Sequence, residues 1–282
     1  MTSPTPIPLA QRTAHTDPSL FRQLTGVHSG AGSMAFGSLL EATALSNNLI
    51  FLHRGVIAPH SGIGQHFHNQ CEEMFVILDG EAQFTVDGRT SLIKGPAGVP
   101  CRMGHSHGIY NPTDKPVQWL NVNVGMTKVY DAWDLGDDCV NIALDRIPQF
   151  ISMRLDRALL LPKDHLEGGQ GVVYYRRALN PTIFSTTWAY VDHIAIGRSC
   201  SFGPRALVDV TEVYYILTGA GWVTVDGQTE SITAGDAIPV DLGQELTLQP
   251  RNETGFTAMV IGIAKDMTVK ARMMTGDTPF RN

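Results

Sequence analysis

The sequence predicts an all-β chain built from two tandem copies of one unit, and three observations predict it. Residues 51–100 recur at 190–239 with a constant shift of 139 residues (212 − 73 for the paired glutamates). Glu73-Met74-Phe75-Val76-Ile77-Leu78 matches Glu212-Val213-Tyr214-Tyr215-Ile216-Leu217, and Gly32 and Phe36 find Gly171 and Tyr175 at the same shift. A register kept this long is a duplication of a domain-sized unit. Each copy also carries an alternating run that meets an Asp-Gly pair, Ala82–Val86 before Asp87-Gly88 and Trp222–Val225 before Asp226-Gly227. That combination is a strong hairpin signal. Finally, His66 and His68 are separated by one residue, and side chains i and i+2 share a face only on an extended strand.

Taken in order, the chain divides into an N-terminal extension (1–29), a first unit (30–126), a connector (127–168), a second unit (169–266) and a C-terminal tail (267–282). Residues 1–20 and 268–282 are polar, Pro- or Gly-containing ends, expected to be loosely ordered or to reach onto a partner subunit. Residues 117–124 alternate cleanly and read as a strand with two possible inner faces. Trp119, Asn121 and Asn123 would make a polar pocket wall, and Leu120, Val122 and Val124 an apolar one. Asp145–Leu161 is the best helical candidate, with Pro148 forcing a late start. The connector is therefore expected to be short, partly helical and packed against the two units.

Composition bounds the function. The chain has 282 residues, is 43% hydrophobic and 17% charged, and contains 28 Gly and 16 Pro. This suits a compact core-forming protein rich in turns. The formal net charge is −6 and no Lys/Arg cluster occurs, so nucleic acid and anionic membranes are not expected partners. Cys71, Cys101, Cys139 and Cys200 are widely spaced without a CxxC, which argues against a disulfide framework. The first residues lack a basic start and an apolar run, and no stretch approaches the length of a membrane span. A cytoplasmic protein is the expectation.

The candidate site lies in the first copy. Six of the ten histidines fall between His53 and His107, more than packing needs. His66, His68 and His107, with a carboxylate from Glu72 or Glu73, offer neutral nitrogens and one negative charge to a divalent transition metal. His105 shares the strand period of His107 and is a candidate neighbouring group or proton donor. His60 and His53 are expected in surface or core roles. Phe75, Ile77, Gln83, Trp119 and Asn121 are candidate pocket residues.

These residues resemble the cupin superfamily. Its first motif runs Gly, His-x-His, Glu, Gly, and here His66, His68, Glu73 and Gly80 fit, with the leading glycine displaced to Gly62 or Gly64. Its second motif is met by Gly95, Pro100, Gly104, His107 and Asn111, with one extra residue between Pro100 and Gly104. The spacing to Gly80 and the repeat partner Glu212 both select Glu73 as ligand, leaving Glu72 facing outward. The resemblance implies two antiparallel jelly-roll β-barrels and one divalent metal per chain, as Fe, Mn, Ni or Zn. It covers residues 30–125 and, as the second copy, 170–265.

The second copy has lost the chemistry. His66, His68 and His107 become Arg205, Leu207 and Leu246, and only Glu73 keeps its counterpart, Glu212. An Arg205–Glu212 ion pair is expected where the metal would stand, in a barrel serving structure and dimerisation. The leading functional expectation is a dioxygenase acting on a small oxygenated or aromatic compound. A redox-neutral isomerase, epimerase or lyase acting on a sugar or sugar acid with the same metal is the first alternative, and a non-catalytic metal or small-molecule binding protein the second. A homodimer or higher homo-oligomer is expected.

Overall fold

A computed structural model describes residues 7–275. Nearly all regular structure is antiparallel strand. The first unit is two facing sheets. The larger runs in the order Arg22–Thr25, Ser33–Glu41, Leu49–Ile57, Val117–Gly125, Cys71–Ile77, Ala97–Cys101, Met153–Arg154. The smaller runs Trp133–Asp137, Ser61–Phe67, Ser106–Asn111, Glu81–Val86, Arg89–Lys94. Together they make a jelly-roll barrel whose interior holds Met34, Ile63, Phe75, Phe84 and Trp119.

The second unit repeats this barrel. Leu49–Ile57 corresponds to Trp188–Ile196, Arg89–Lys94 to Gln228–Thr233, and Val117–Gly125 to Phe256–Ala264, each at the shift read from the sequence. Even Arg22–Thr25, outside the sequence alignment, has its counterpart in Leu161–Asp164. Both Asp-Gly pairs sit at hairpin tips with positive φ at each residue, +48° and +73° in the first copy, +48° and +78° in the second. This is the turn whose twist matches the flanking strands. In the second unit the two strands before that tip are continuous, as Val210–Val225.

The two barrels share a core. Leu120, Val122 and Val124 lie in one buried cluster with Val213, Tyr215 and Ile261 of the second barrel. Burying each such side chain contributes about 1.5–3 kcal/mol. Glu72 faces outward from the first barrel as expected, yet it is fully buried beneath the second. Its carboxylate accepts from Ser185 N at 2.7 Å, Thr186 N at 2.8 Å and Thr186 Oγ1 at 2.6 Å.

Two expectations need correction. No α-helix forms over Asp145–Leu161. Met153 and Leu155 are buried in extended backbone, and the helical part of the connector is limited to 3-10 turns at Arg157–Leu159 and Leu166–Gly168. The apolar residues of that period do not share one buried surface, because Phe150 and Leu155 pack into separate core clusters while Ile147, Ile151 and Leu159 are exposed. The ends, where described, are tied down rather than loose. Leu9 is fully buried in the second barrel's core and Ala14 bridges Ala237. The Met267–Thr275 helix buries Val269 and Met273 in the same core. The rest of the polar ends, residues 1–6 and 276–282, lies outside the described residues. Among the described residues, no helix is long and apolar enough to cross a membrane.

Candidate metal centre

Three strands deliver the four expected ligands to one point. Ser61–Phe67 pairs with Ser106–Asn111 so that His66 lies opposite His107. A one-residue register shift between Ile63 and His66 sets which face His66 occupies. Gly64 makes this shift possible: a Cβ there would lie 2.0 Å from His28 O and 2.8 Å from Gly30 N. His68 follows the strand end, anchored by its N–H to His105 O at 3.2 Å. Glu73 comes from Cys71–Ile77, opposite Asn123 and Cys101.

All four side chains are buried, and their ligand atoms lie within 4.8 Å of one another. Glu73 Oε2 is 2.7 Å from His68 Nε2 and 3.4 Å from both His66 Nε2 and His107 Nε2. His107 Nε2 is 3.1 Å from His66 Nε2 and 3.2 Å from His68 Nε2. Two donors held at right angles about 2.1 Å from one ion would lie about 3.0 Å apart, so the spacing suits metal ligation.

The outer nitrogens support the same reading. His66 Nδ1 bonds Gly64 O at 2.8 Å and His68 Nδ1 bonds Asp131 O at 2.7 Å. A carbonyl only accepts, so each Nδ1 carries a hydrogen and each Nε2 is directed inward toward Glu73. Asn121 Nδ2 donates to Glu73 Oε1, which leaves Oε2 to the histidines. Burial pushes the Glu73 carboxyl up, but the surrounding histidines hold it well below its ordinary value. Burial pushes His68 down, and Glu73 overrides it, raising the ring to about 11. Burial, then the His66 ring, pushes His107 down to about 3.

A cavity of about 430 Å³ opens onto His66 and Glu73. Phe36, Phe51, Phe75, Trp119 and Tyr130 give it aromatic walls, and Glu41, His53 and Lys128 add polar groups. Of the expected pocket residues, Phe75, Trp119 and Asn121 line it, so the Trp119/Asn121/Asn123 face of the 117–124 strand is the inner one. Phe75 stacks on His107 at 4.3 Å. Ile77 is buried deeper in the barrel core. Gln83 turns to the opposite face, because Ala82 and Phe84 fill the interior. His105 also turns away: its half-exposed ring bonds Asp87 Oδ2 at 2.5 Å. It does not line the cavity, because His105 lies in the turn before the Ser106–Asn111 strand and not on the strand that carries His107. His60, likewise exposed, bonds Asp114 at 2.7 Å.

Several residues at the site escaped sequence reasoning. The His28 ring stacks on His66 at 3.9 Å, with Nδ1 bonded to Asp134 and Nε2 3.3 Å from Tyr130 OH. His28 sits on a turn with φ +49° and Tyr130 on a non-periodic segment. The repeat held a signal for His28: its counterpart Glu167 has φ +53° and lies 3.7 Å from Arg205. In both barrels, this turn residue reaches the centre. Tyr130 and Lys128 have no such signal.

In the second barrel Arg205 Nη1 lies 2.7 Å from Glu212 Oε1. Tyr190 OH donates to the same oxygen at 2.5 Å, and Tyr214 OH donates to Oε2. Leu207 and Leu246 are fully buried in the core. A guanidinium, two phenols and two leucines thus fill the volume where the first barrel gathers its ligands.

Comparison with known proteins gives the same picture. A family model described as Cupin domain matches residues 53–123. An oxalate-binding protein of Thermotoga maritima is 30% identical over 102 residues, covering 36% of this chain and 83% of that protein. Among solved structures, a salicylate 1,2-dioxygenase variant from Pseudoaminobacter salicylatoxidans, in complex with gentisate, superposes with a TM-score of 0.65 at 17% identity. The match covers 86% of this chain and 76% of that one. Oxalate decarboxylase from Bacillus subtilis gives a TM-score of 0.57 at 16% identity over 90% and 76% of the two chains. At these identities the structural matches show the fold.

Proposed function

Because the chain belongs to the cupin superfamily, as a two-barrel member, we propose that it is a metal-dependent dioxygenase acting on a small oxygenated or aromatic compound in its first barrel. One observation carries this reading: His66, His68, Glu73 and His107 converge at the end of a cavity walled by five aromatic rings. A divalent ion held by these residues supplies a Lewis acid for adjacent substrate oxygens and, as Fe(II), a redox partner for O₂. The chain supplies the rest. Phe36, Phe51 and Trp119 present faces and edges on which a flat substrate packs. His53 offers a ring nitrogen to polar substituents, and Lys128, whose Nζ already donates to Ala42 O and Leu45 O at 2.6 Å, has one further hydrogen to give. Tyr130 and His28 flank His66 on the cavity side, so their hydroxyl and ring border the space beside the ligands.

The test is oxygen uptake by the Fe(II)-loaded protein with a panel of ortho-dioxygenated aromatic acids and small hydroxy acids. O₂ consumption matching substrate loss, absent in His66→Ala/His68→Ala, is expected. Turnover of sugars under nitrogen with Mn(II) or Zn(II), without oxygen uptake, would overturn it in favour of isomerase or lyase chemistry. The oxalate-binding relative favours a second reading, capture of a small dicarboxylate without turnover. Saturable thermal stabilisation by oxalate, with no substrate consumed by any metal form, would support that reading.

A further inference from the structure

A second, larger cavity of about 890 Å³ opens where the two barrels meet the connector, away from the metal ligands. Its apolar wall includes Leu78 and Leu217, which occupy equivalent positions of the two repeats. Lys94 of the first barrel and Arg154 and Arg157 of the connector make its polar side basic. The one acid of its lining, Asp156, is already engaged, accepting from Arg154 at 2.8 Å and from Ala158 N at 2.9 Å. His193 lines the cavity too. It is only 2% exposed, and its Nδ1 has no hydrogen-bond partner among the described residues. A buried polar atom left unpaired is unfavourable, and the residue that carries this one is part of the cavity lining. The volume lies within the range of small-molecule sites.

We propose that this inter-barrel cavity binds a small amphipathic organic anion, a monocarboxylate with an apolar body. The carboxylate accepts from the Arg157 guanidinium, the Lys94 ammonium and His193 Nδ1–H, and the body packs between Leu78 and Leu217. Because the wall draws on both barrels and the connector, occupancy also ties the three together. The site is independent of the proposed reaction.

The test uses the full-length, metal-loaded protein and 8-anilinonaphthalene-1-sulfonate as probe, followed by fluorescence titration and displaced by octanoate. One saturable site per chain is expected, with octanoate competing. Arg157→Glu, at an exposed position, should weaken both ligands by about tenfold or more, and Leu217→Trp should block them by filling the cavity. His66→Ala/His68→Ala should leave the affinity within about twofold, which separates this site from the first-barrel cavity. Absence of saturable binding, or binding unchanged by Arg157→Glu, would overturn the proposal. So would loss of binding in the metal-ligand variant alone.

Discussion

Arg205 Nη1 lies 2.7 Å from Glu212 Oε1, at the two positions that correspond to His66 and Glu73 one repeat earlier. The duplicated carboxylate has kept its place and changed its cation. A fixed guanidinium does structurally in the second barrel what an exchangeable ion is proposed to do in the first. Burial pushes Arg205 down, but Glu212 outweighs it and holds the side chain charged.

Arg205→Met should therefore be a stability mutation and nothing else. It leaves the Glu212 charge buried with the Tyr190 and Tyr214 hydroxyls as donors. Removing one partner of a buried pair costs about 3 kcal/mol, read as a lower urea midpoint. Metal content should not change. Loss of the ion from this variant would show that the shared core carries damage in the second barrel through to the first-barrel site.

Asn121→Ala tests how Glu73 is aimed. Its amide holds Oε1 and leaves Oε2 facing the three histidines. Losing such a supporting hydrogen bond typically lowers metal affinity by about 10–100-fold. Competition with a chelator should show this while far-UV circular dichroism stays unchanged.

Gly64→Ala tests the backbone approach that places His66. The new Cβ would meet His28 O at 2.0 Å, so either the Val27–Ser29 turn or the His66 strand must move. Metal affinity and melting temperature should fall together. A variant with unchanged affinity would mean that the turn yields without disturbing His66.

Acid should weaken the fold through His193. Burial, then the Arg176 and Arg157 charges, pushes its ring down to about 4. A folded value below the unfolded one, about 6.5, means that the unfolded chain binds the extra proton. Stability is intact above about pH 6.5 and is lost as pH falls toward 4, by about 3 kcal/mol at most. His193→Gln should flatten that limb of the stability–pH curve. An unchanged limb would assign the acid sensitivity to other groups.

Much of this was legible because strand periodicity and ligand spacing are local. The Asp87-Gly88 and Asp226-Gly227 tips, the strand over Val117–Gly125, and the grouping of His66, His68 and Glu73 follow from residues close in sequence or at one repeat shift, while His107, 34 residues beyond Glu73, is joined to them by the second motif of the resemblance. The inward face of Val117–Gly125 was not legible, since both faces are buried. Asn121 and Asn123 turn to the cavity side while Leu120 and Val122 turn to the second barrel, so no solvent-facing side marks the exterior. His28, Lys128 and Tyr130 reach the cavity from segments without a period. The connector's helical spacing was overridden because Phe150 and Leu155 find separate partners in the two core clusters, leaving Ile147 and Ile151 exposed.

The central proposal is one exchangeable ion, taken up by the first barrel only. Elemental analysis of the purified protein beside His66→Ala/His68→Ala tests it most directly. One divalent transition-metal ion per chain is predicted for the native protein and none for the variant, with the β-sheet circular dichroism signal retained. Two ions per chain, or an ion kept by the variant, would contradict it.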